Sequence, residues 1–286
     1  MDIAYVLHTT AMKMAKDGIY EREIAGAMVG IALANDGYVS FPIILSKHGE
    51  ILHNESHENK LTNGDLLLVD AGFDSPLGYA TDHTRTFPVS AKFSSKQLDI
   101  YKIVLEANNM IHSNSAPGIK YYDMHMLACK TIANGLKELG IMRGDMAEAV
   151  SLGAHALFMP HGLGHAMGLD VHDMENLGED LVGYEKGQKR SSQFGTAYLR
   201  FARTLQPGHV ITNEPGIYFI PALISQWKSE NKFTEFINYA KLNDYLDFGG
   251  IRLEDDILIT ENKCRNMGKK RIPINPDELE ATIGKL

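Results

Sequence analysis

Two cysteines in 286 residues, Cys129 and Cys264, form no spaced pattern and so build neither a disulfide framework nor a repeated cysteine metal motif. Tryptophan occurs once, and no low-complexity tract divides the chain, which excludes fibrous, collagen-like and disordered architectures. The opening segment "MDIAYVLHTTAMKMAKDGIY" contains no apolar stretch long enough for a signal peptide or a membrane span, so no membrane is expected as a partner and the cytoplasm is the expected compartment. Basic blocks are also missing. With a net charge of −8 and only short runs such as "KGQKR" and "GKKR", which read as solvated loops, no nucleic-acid surface is expected.

What is present is a globular composition, 44% hydrophobic and 22% charged, sufficient for the core of one large or two modest domains. Apolar spacing at three and four predicts helices over roughly 3–17, over "QLDIYKIVLEANNMIH" behind a serine cap at 94–95, over "YYDMHMLACKTIANGLKELG" stopping at Gly140, and over roughly 145–158. Strand-like runs lie at "FPIILS", "LLLVDAG", "YATDHTRTFPV", "HVITNEPGIYF" and "IRLEDDILIT". Strands in two batches with helices between predict an α+β domain in two related halves. The polar stretch around 178–196 and the aromatic-rich stretch 220–248 read as insertions, the aromatics serving packing or subunit contacts.

The two halves are related in detail. "LTNGDLLLVDAG" at 61–72 aligns without a gap on "LQPGHVITNEPG" at 205–216, matching Asp70 with Glu214. Further on, Asp82 stands four residues after Gly78 and Glu254 four after Gly250. Duplication explains the offsets but not the acids. Any one of them reads as a paired or edge-exposed charge; four packed together would repel and lose hydration, and such a cluster needs cations. Two divalent ions would supply them. The glycine-rich "HGLGHAMGLDVHD" at 161–173 adds three histidines within twelve residues, of which one could be a ligand and the others acid–base or hydrogen-bonding groups.

Together "VDAG", "GYATDHTRTFPV", "HGLGHAMGLDVHD", "NEPGIYF" and "GGIRLEDD" arrive in an order that resembles the pita-bread metallopeptidases, in particular their proline-specific branch, aminopeptidase P and prolidase. The resemblance covers nearly the whole chain and implies a pseudo-twofold antiparallel sheet flanked by helices. It implies five metal ligands: Asp70 chelating one ion, His165 and Glu214 holding the other, and Asp82 and Glu254 bridging. It also implies hydrolysis of the Xaa-Pro bond at the N-terminus of a peptide with proline in second position, by a hydroxide shared between the two ions. Glu214 would relay a proton to the leaving nitrogen, His172 would stabilise the oxyanion, and His161 and His53 would hold the proline side. Arg200, in "YLRFARTLQPG", matches the arginine that grips the free carboxylate of a dipeptide in prolidase. The donor set suits manganese, with zinc, cobalt or iron as alternatives.

Residues 1–286 are expected to form one catalytic domain without the N-terminal domain usual in the branch, which leaves assembly, a homodimer being one option, open. A methionine aminopeptidase shares the fold and ligands but not the "GYATDHTRTFPV" and "GGIRLEDD" pattern. The complete ligand set argues against a metal-free creatinase-like hydrolase and against a non-catalytic protein-binding module.

Overall fold

The computed structural model describes residues 1–89 and 92–285; Ser90, Ala91 and Leu286, part of the expected 1–286 domain, lie outside the described residues. The first half opens with helices α1 (Asp2–Met14) and α2 (Glu21–Ala34) and continues through strands β1 (Tyr38–Val39), β2 (Ile44–Ser46), β3 (Leu66–Ala71), β4 (Phe73–Asp74) and β5 (His83–Pro88). Helix α1 stops short of the expected residue 17 because Ala15 is already extended. Helix α2 is not anticipated from the sequence. Its core face is Ile24, Ala25, Met28 and Ala32, half of it alanine, and the opposite, exposed side carries Gly26 and Gly30, whose low helix propensity weakens the local signal.

Strand β3 is central: it pairs antiparallel with β2 on one side and β5 on the other, which sets Asp70 between Ile44 and Thr84. Three helices follow, α3 (Ser95–Asn114), α4 (Tyr121–Glu138) and α5 (Met146–Leu152). Ser94 and Gln97 cap α3 reciprocally, the Ser94 hydroxyl accepting from the Gln97 amide at 3.2 Å and the Gln97 side chain from the Ser94 amide at 2.9 Å. Helix α3 packs along α4. The expected 145–158 helix breaks at Gly153, and a 3-10 turn carries the chain from Ala154 to Leu157.

The second half contains α6 (Glu179–Gly183), β6 (Val210–Asn213), β7 (Gly216–Tyr218), α7 (Pro221–Ser229), α8 (Tyr239–Leu242), β8 (Gly250–Arg252), β9 (Asp255–Ile259), β10 (Cys264–Asn266) and α9 (Pro276–Thr282). Strand β9 lies between β6 and β10, and β7 pairs with β8, all antiparallel. The repeat seen in sequence is also a repeat in backbone: Gly64 and Gly208 enter β3 and β6 at φ +96° and +93°, a left-handed conformation that favours glycine.

Two expected strands are each split at an acid. "HVITNEPGIYF" divides around Glu214 because its amide donates to the Leu163 carbonyl at 2.9 Å, and "IRLEDDILIT" divides around Glu254 because its amide donates to Thr84 at 3.0 Å. Asp82 likewise stands just before β5, its amide donating to the Asp256 carboxylate at 3.1 Å. Asp82, Glu214 and Glu254 therefore stand outside the regular ladder, whereas Asp70 stays within β3.

The seam between the two halves is tied by a buried ion cluster. Fully buried Arg85 donates to Asp255 at 2.6 Å, and also to the carbonyls of Thr84, Glu254, Ile272 and Pro273. Arg271 shares Asp255 from the other side at 2.7 Å. Burial alone would raise the Asp255 carboxyl, but the two guanidinium groups hold it well below the usual carboxylate range. The aromatics of 220–248 serve internal packing: Phe219 stacks on Tyr245 at 4.7 Å, and Trp227 meets Phe233 and Phe194.

Candidate metal centre

A cleft of about 960 Å³ opens where the halves meet, and Asp70, Asp82, His165, Glu214, Glu254, His53, His161, His172 and Arg200 all line it. Every residue singled out in the sequence is thus brought to one cavity. The tightest grouping is Asp82, His165 and Glu254, whose ligand atoms lie within 4.8 Å of one another. His165 Nε2 stands 3.4 Å from Asp82 and 3.8 Å from Glu214.

The local chain explains His165. Its amide donates to the Thr212 hydroxyl at 3.0 Å and its carbonyl accepts from the Thr212 amide, docking the "HGLGHAMG" loop on β6. Glycine at 164 is what allows this approach, since a Cβ there would fall 2.2 Å from the Thr212 carbonyl oxygen. The ring Nδ1 faces the Ala166 carbonyl at 3.1 Å, an acceptor, so the proton belongs on Nδ1 and Nε2 presents a lone pair to the acids.

The carboxyls are crowded and poorly solvated. Burial, then Asp70, pushes the Asp82 carboxyl well above the usual carboxylate range; burial, then Asp82 and Glu214, does the same to Glu254. Glu214 is raised by burial against the opposing pull of His165, yet it keeps 18% side-chain exposure and faces the cleft. Asp70 Oδ1 and Asp82 Oδ1 are buried with no hydrogen-bond donor. Orphaned carboxyl oxygens beside an imidazole lone pair are the arrangement a divalent cation completes.

Arg252 organises the anionic wall and was not singled out from sequence. It donates to Asp70 at 2.5 Å, to the Thr84 hydroxyl at 3.1 Å and to the Tyr218 hydroxyl at 3.0 Å. Thr84 passes its own hydrogen to Glu254 at 2.6 Å, and Tyr218 lies 2.9 Å from His161 Nε2. With Nδ1 of His161 donating to the Gly162 carbonyl at 2.7 Å, its Nε2 accepts from Tyr218, and burial lowers its pKa to about 4. A signal for these helpers exists in the sequence: Thr84, Thr212 and Arg252 each stand two residues from an expected ligand, the spacing that shares one strand face.

The outer residues are less enclosed. The His172 ring sits edge-on to His165 at 4.4 Å with 43% of its side chain exposed, and burial and then His165 lower its pKa. His53 is exposed on a segment fastened by buried Glu21, which accepts from the Lys47 amide at 2.8 Å and from Asn59 at 2.9 Å. Arg200 pairs with Glu175 at 2.5 Å and Glu179 at 3.2 Å, so it enters the cleft wall with its charge already met.

Known proteins resemble this chain over nearly its whole length. The family model described as metallopeptidase family M24 matches residues 1–261. A "Probable Xaa-Pro aminopeptidase" of Fusarium vanettenii is 36% identical over 98% of this chain and 59% of its own length, and the Xaa-Pro dipeptidase of Homo sapiens is 33% identical over 96% and 56%. The structure of Escherichia coli aminopeptidase P with the inhibitor Pro-Leu superposes with a TM-score of 0.79 at 33% identity, covering 98% of this chain and 56% of that one. The chain thus spans somewhat over half the length of the relatives it matches. By the family match, the pita-bread fold and these relatives, the chain belongs to metallopeptidase family M24, on its proline-specific branch.

Proposed function

We propose that this chain is a catalytic domain, spanning 1–286, of a metal-dependent exopeptidase that hydrolyses the Xaa-Pro bond at the N-terminus of peptides. The observation that carries the reading is the convergence of Asp70, Asp82, His165, Glu214 and Glu254 on one end of the cleft, with carboxylate oxygens left without donors. Mostly oxygen donors with one imidazole suit two manganese ions, and zinc, cobalt or iron would also be accepted. Divalent ions held there would lower the pKa of a coordinated water towards neutrality and polarise the scissile carbonyl.

The chain's own groups would do the rest. Glu214 faces the cleft with a raised pKa, so it can take a proton from the attacking water and deliver it to the leaving nitrogen. His172, neutral at ordinary pH, can donate one N–H to the developing oxyanion. His161, locked by Tyr218 and Gly162, and His53 on the facing segment would hold the proline side. Arg200 would exchange part of its pairing with Glu175 and Glu179 for the free carboxylate of a dipeptide. We place the protein in the cytoplasm, with a homodimer as the assembly to be checked by light scattering.

The test is the manganese-loaded protein on a Xaa-Pro dipeptide beside a Xaa-Pro-Yaa tripeptide. Cleavage of either after Xaa supports the reading, and cleavage of neither removes it. Arg200→Ala should raise KM for the dipeptide and leave the tripeptide nearly unchanged; equal effects on both exclude Arg200 from carboxylate binding.

A further inference from the structure

Among the described residues, two groups bring three ligand atoms within 4.8 Å of one another: Asp82, His165 and Glu254 in the cleft, and His125, Cys129 and His155 in the core. The second group is wholly enclosed, all three residues having no exposed surface. His125 and Cys129 stand one turn apart on α4 and so share a face, while His155 comes from the 3-10 turn after α5. We propose that His125, Cys129 and His155 form a second metal site, for a thiophilic ion of the zinc or copper(I) class, separate from the carboxylate centre.

Three observations support it. Both ring nitrogens of His155 are buried and neither makes a hydrogen bond of regular geometry, a backbone interaction with Val150 offsetting only part of the effect of burial, which is costly for a polar ring in an apolar core. The Cys129 sulfur lies 3.6 Å from His125 Nε2. Across a tetrahedral ion with bonds of about 2.3 Å to sulfur and about 2.0 Å to nitrogen, that separation would be about 3.5 Å. The rings of His125 and His155 face the same space at 70° to each other, their centroids 6.5 Å apart. Burial also keeps both imidazoles neutral, with pKa values lowered to about 3 for His125 and about 4 for His155, so each offers a lone pair. On binding, the Cys129 thiol proton leaves to solvent as the metal–sulfur bond forms.

A thiolate with two imidazoles selects zinc or copper(I), whereas the carboxylate-rich cleft suits manganese, so the two sites would take different metals. The position indicates a structural role. His155 begins the segment that runs through Pro160 into His161, and a bound ion would pin that segment to α4 behind the cleft wall.

Cobalt(II) loading of the chelator-stripped full chain tests this, because a thiolate-to-cobalt charge-transfer band requires sulfur and the cleft group contains none. Cys264 serves as the control, since its thiol already donates to the His112 carbonyl at 3.0 Å. The band is expected in the unsubstituted protein, in His165→Ala and in Cys264→Ser, and is expected to vanish in Cys129→Ser. Parallel loading with zinc and with copper(I), followed by metal analysis, should show one equivalent fewer in Cys129→Ser for the preferred ion. No band in the unsubstituted protein, a band that survives in Cys129→Ser, or no lost equivalent in either arm overturns the proposal.

Discussion

The hydroxyl of Thr84 donates to Glu254 at 2.6 Å, joining β5 of one half to an expected ligand of the other, while the same oxygen accepts from Arg252 at 3.1 Å. One buried threonine therefore orients a carboxylate and a guanidinium together. Thr84→Val keeps the shape and removes both bonds. Calorimetric titration of metal-stripped protein should show divalent-ion affinity falling by about 10- to 100-fold, the usual effect of losing a group that orients a ligand. Unchanged affinity would mean that Glu254 is held by the backbone alone.

Arg252 is the only described side chain that hydrogen-bonds Asp70, Thr84 and Tyr218 together. Removing it in Arg252→Ala leaves Asp70 buried without its cation, and stability measured by urea unfolding of the metal-free protein should drop by about 3–5 kcal/mol. Because manganese would compensate the Asp70 charge, the loss should shrink when the metal is present.

Histidines 165 and 172 touch each other yet should fail in different ways. His165→Ala should lose bound metal by elemental analysis, since its Nε2 is aimed at Asp82 and Glu214. His172→Ala should keep the metal and slow turnover by about 100-fold or more, as expected for loss of one oxyanion donor. Equal metal loss in both variants would assign the two rings the same role.

Acid sensitivity has an identifiable source in α1. His8 is buried, its Nε2 lies 3.0 Å from the Ala71 carbonyl, and burial lowers its pKa to about 4. Below the unfolded value near 6.5 the unfolded chain binds a proton that the folded chain refuses, so stability falls as the pH drops from about 6.5 to about 4 and levels off below that. This one group accounts for about 3 kcal/mol over that window. His8→Gln, which retains a donor for Ala71, should flatten the slope in chemical denaturation measured across pH 4–7. A slope identical to that of the unsubstituted chain would assign the acid loss to other buried groups.

Much of the site was legible in the chain alone because it is written in types and spacings: four acids at matched offsets in a repeated strand pattern, three histidines in a glycine-rich stretch, and glycines at 64 and 208 that the fold uses in the same left-handed turn. Buried acids at duplicated positions have few structural explanations, so their residue type already pointed to cations. Thr84, Thr212 and Arg252 each sit two residues from an expected ligand, but spacing alone does not say which neighbour is used.

Tertiary structure decided the rest. Helix α2, with two glycines on its exposed side, exists because it packs and because Glu21 at its start fastens the His53 segment, and neither reason is local. The strands break at Glu214 and Glu254 because their amides have acceptors outside their own strand pairs, Leu163 in the docked loop and Thr84 across the seam, which no single run of residues can announce. The core group of His125, Cys129 and His155 was invisible for the same reason: two members lie a helical turn apart, while the third arrives only when the turn after α5 folds back onto α4. Local pattern fixes what each strand and helix can offer; contact between distant segments determines which of those groups meet.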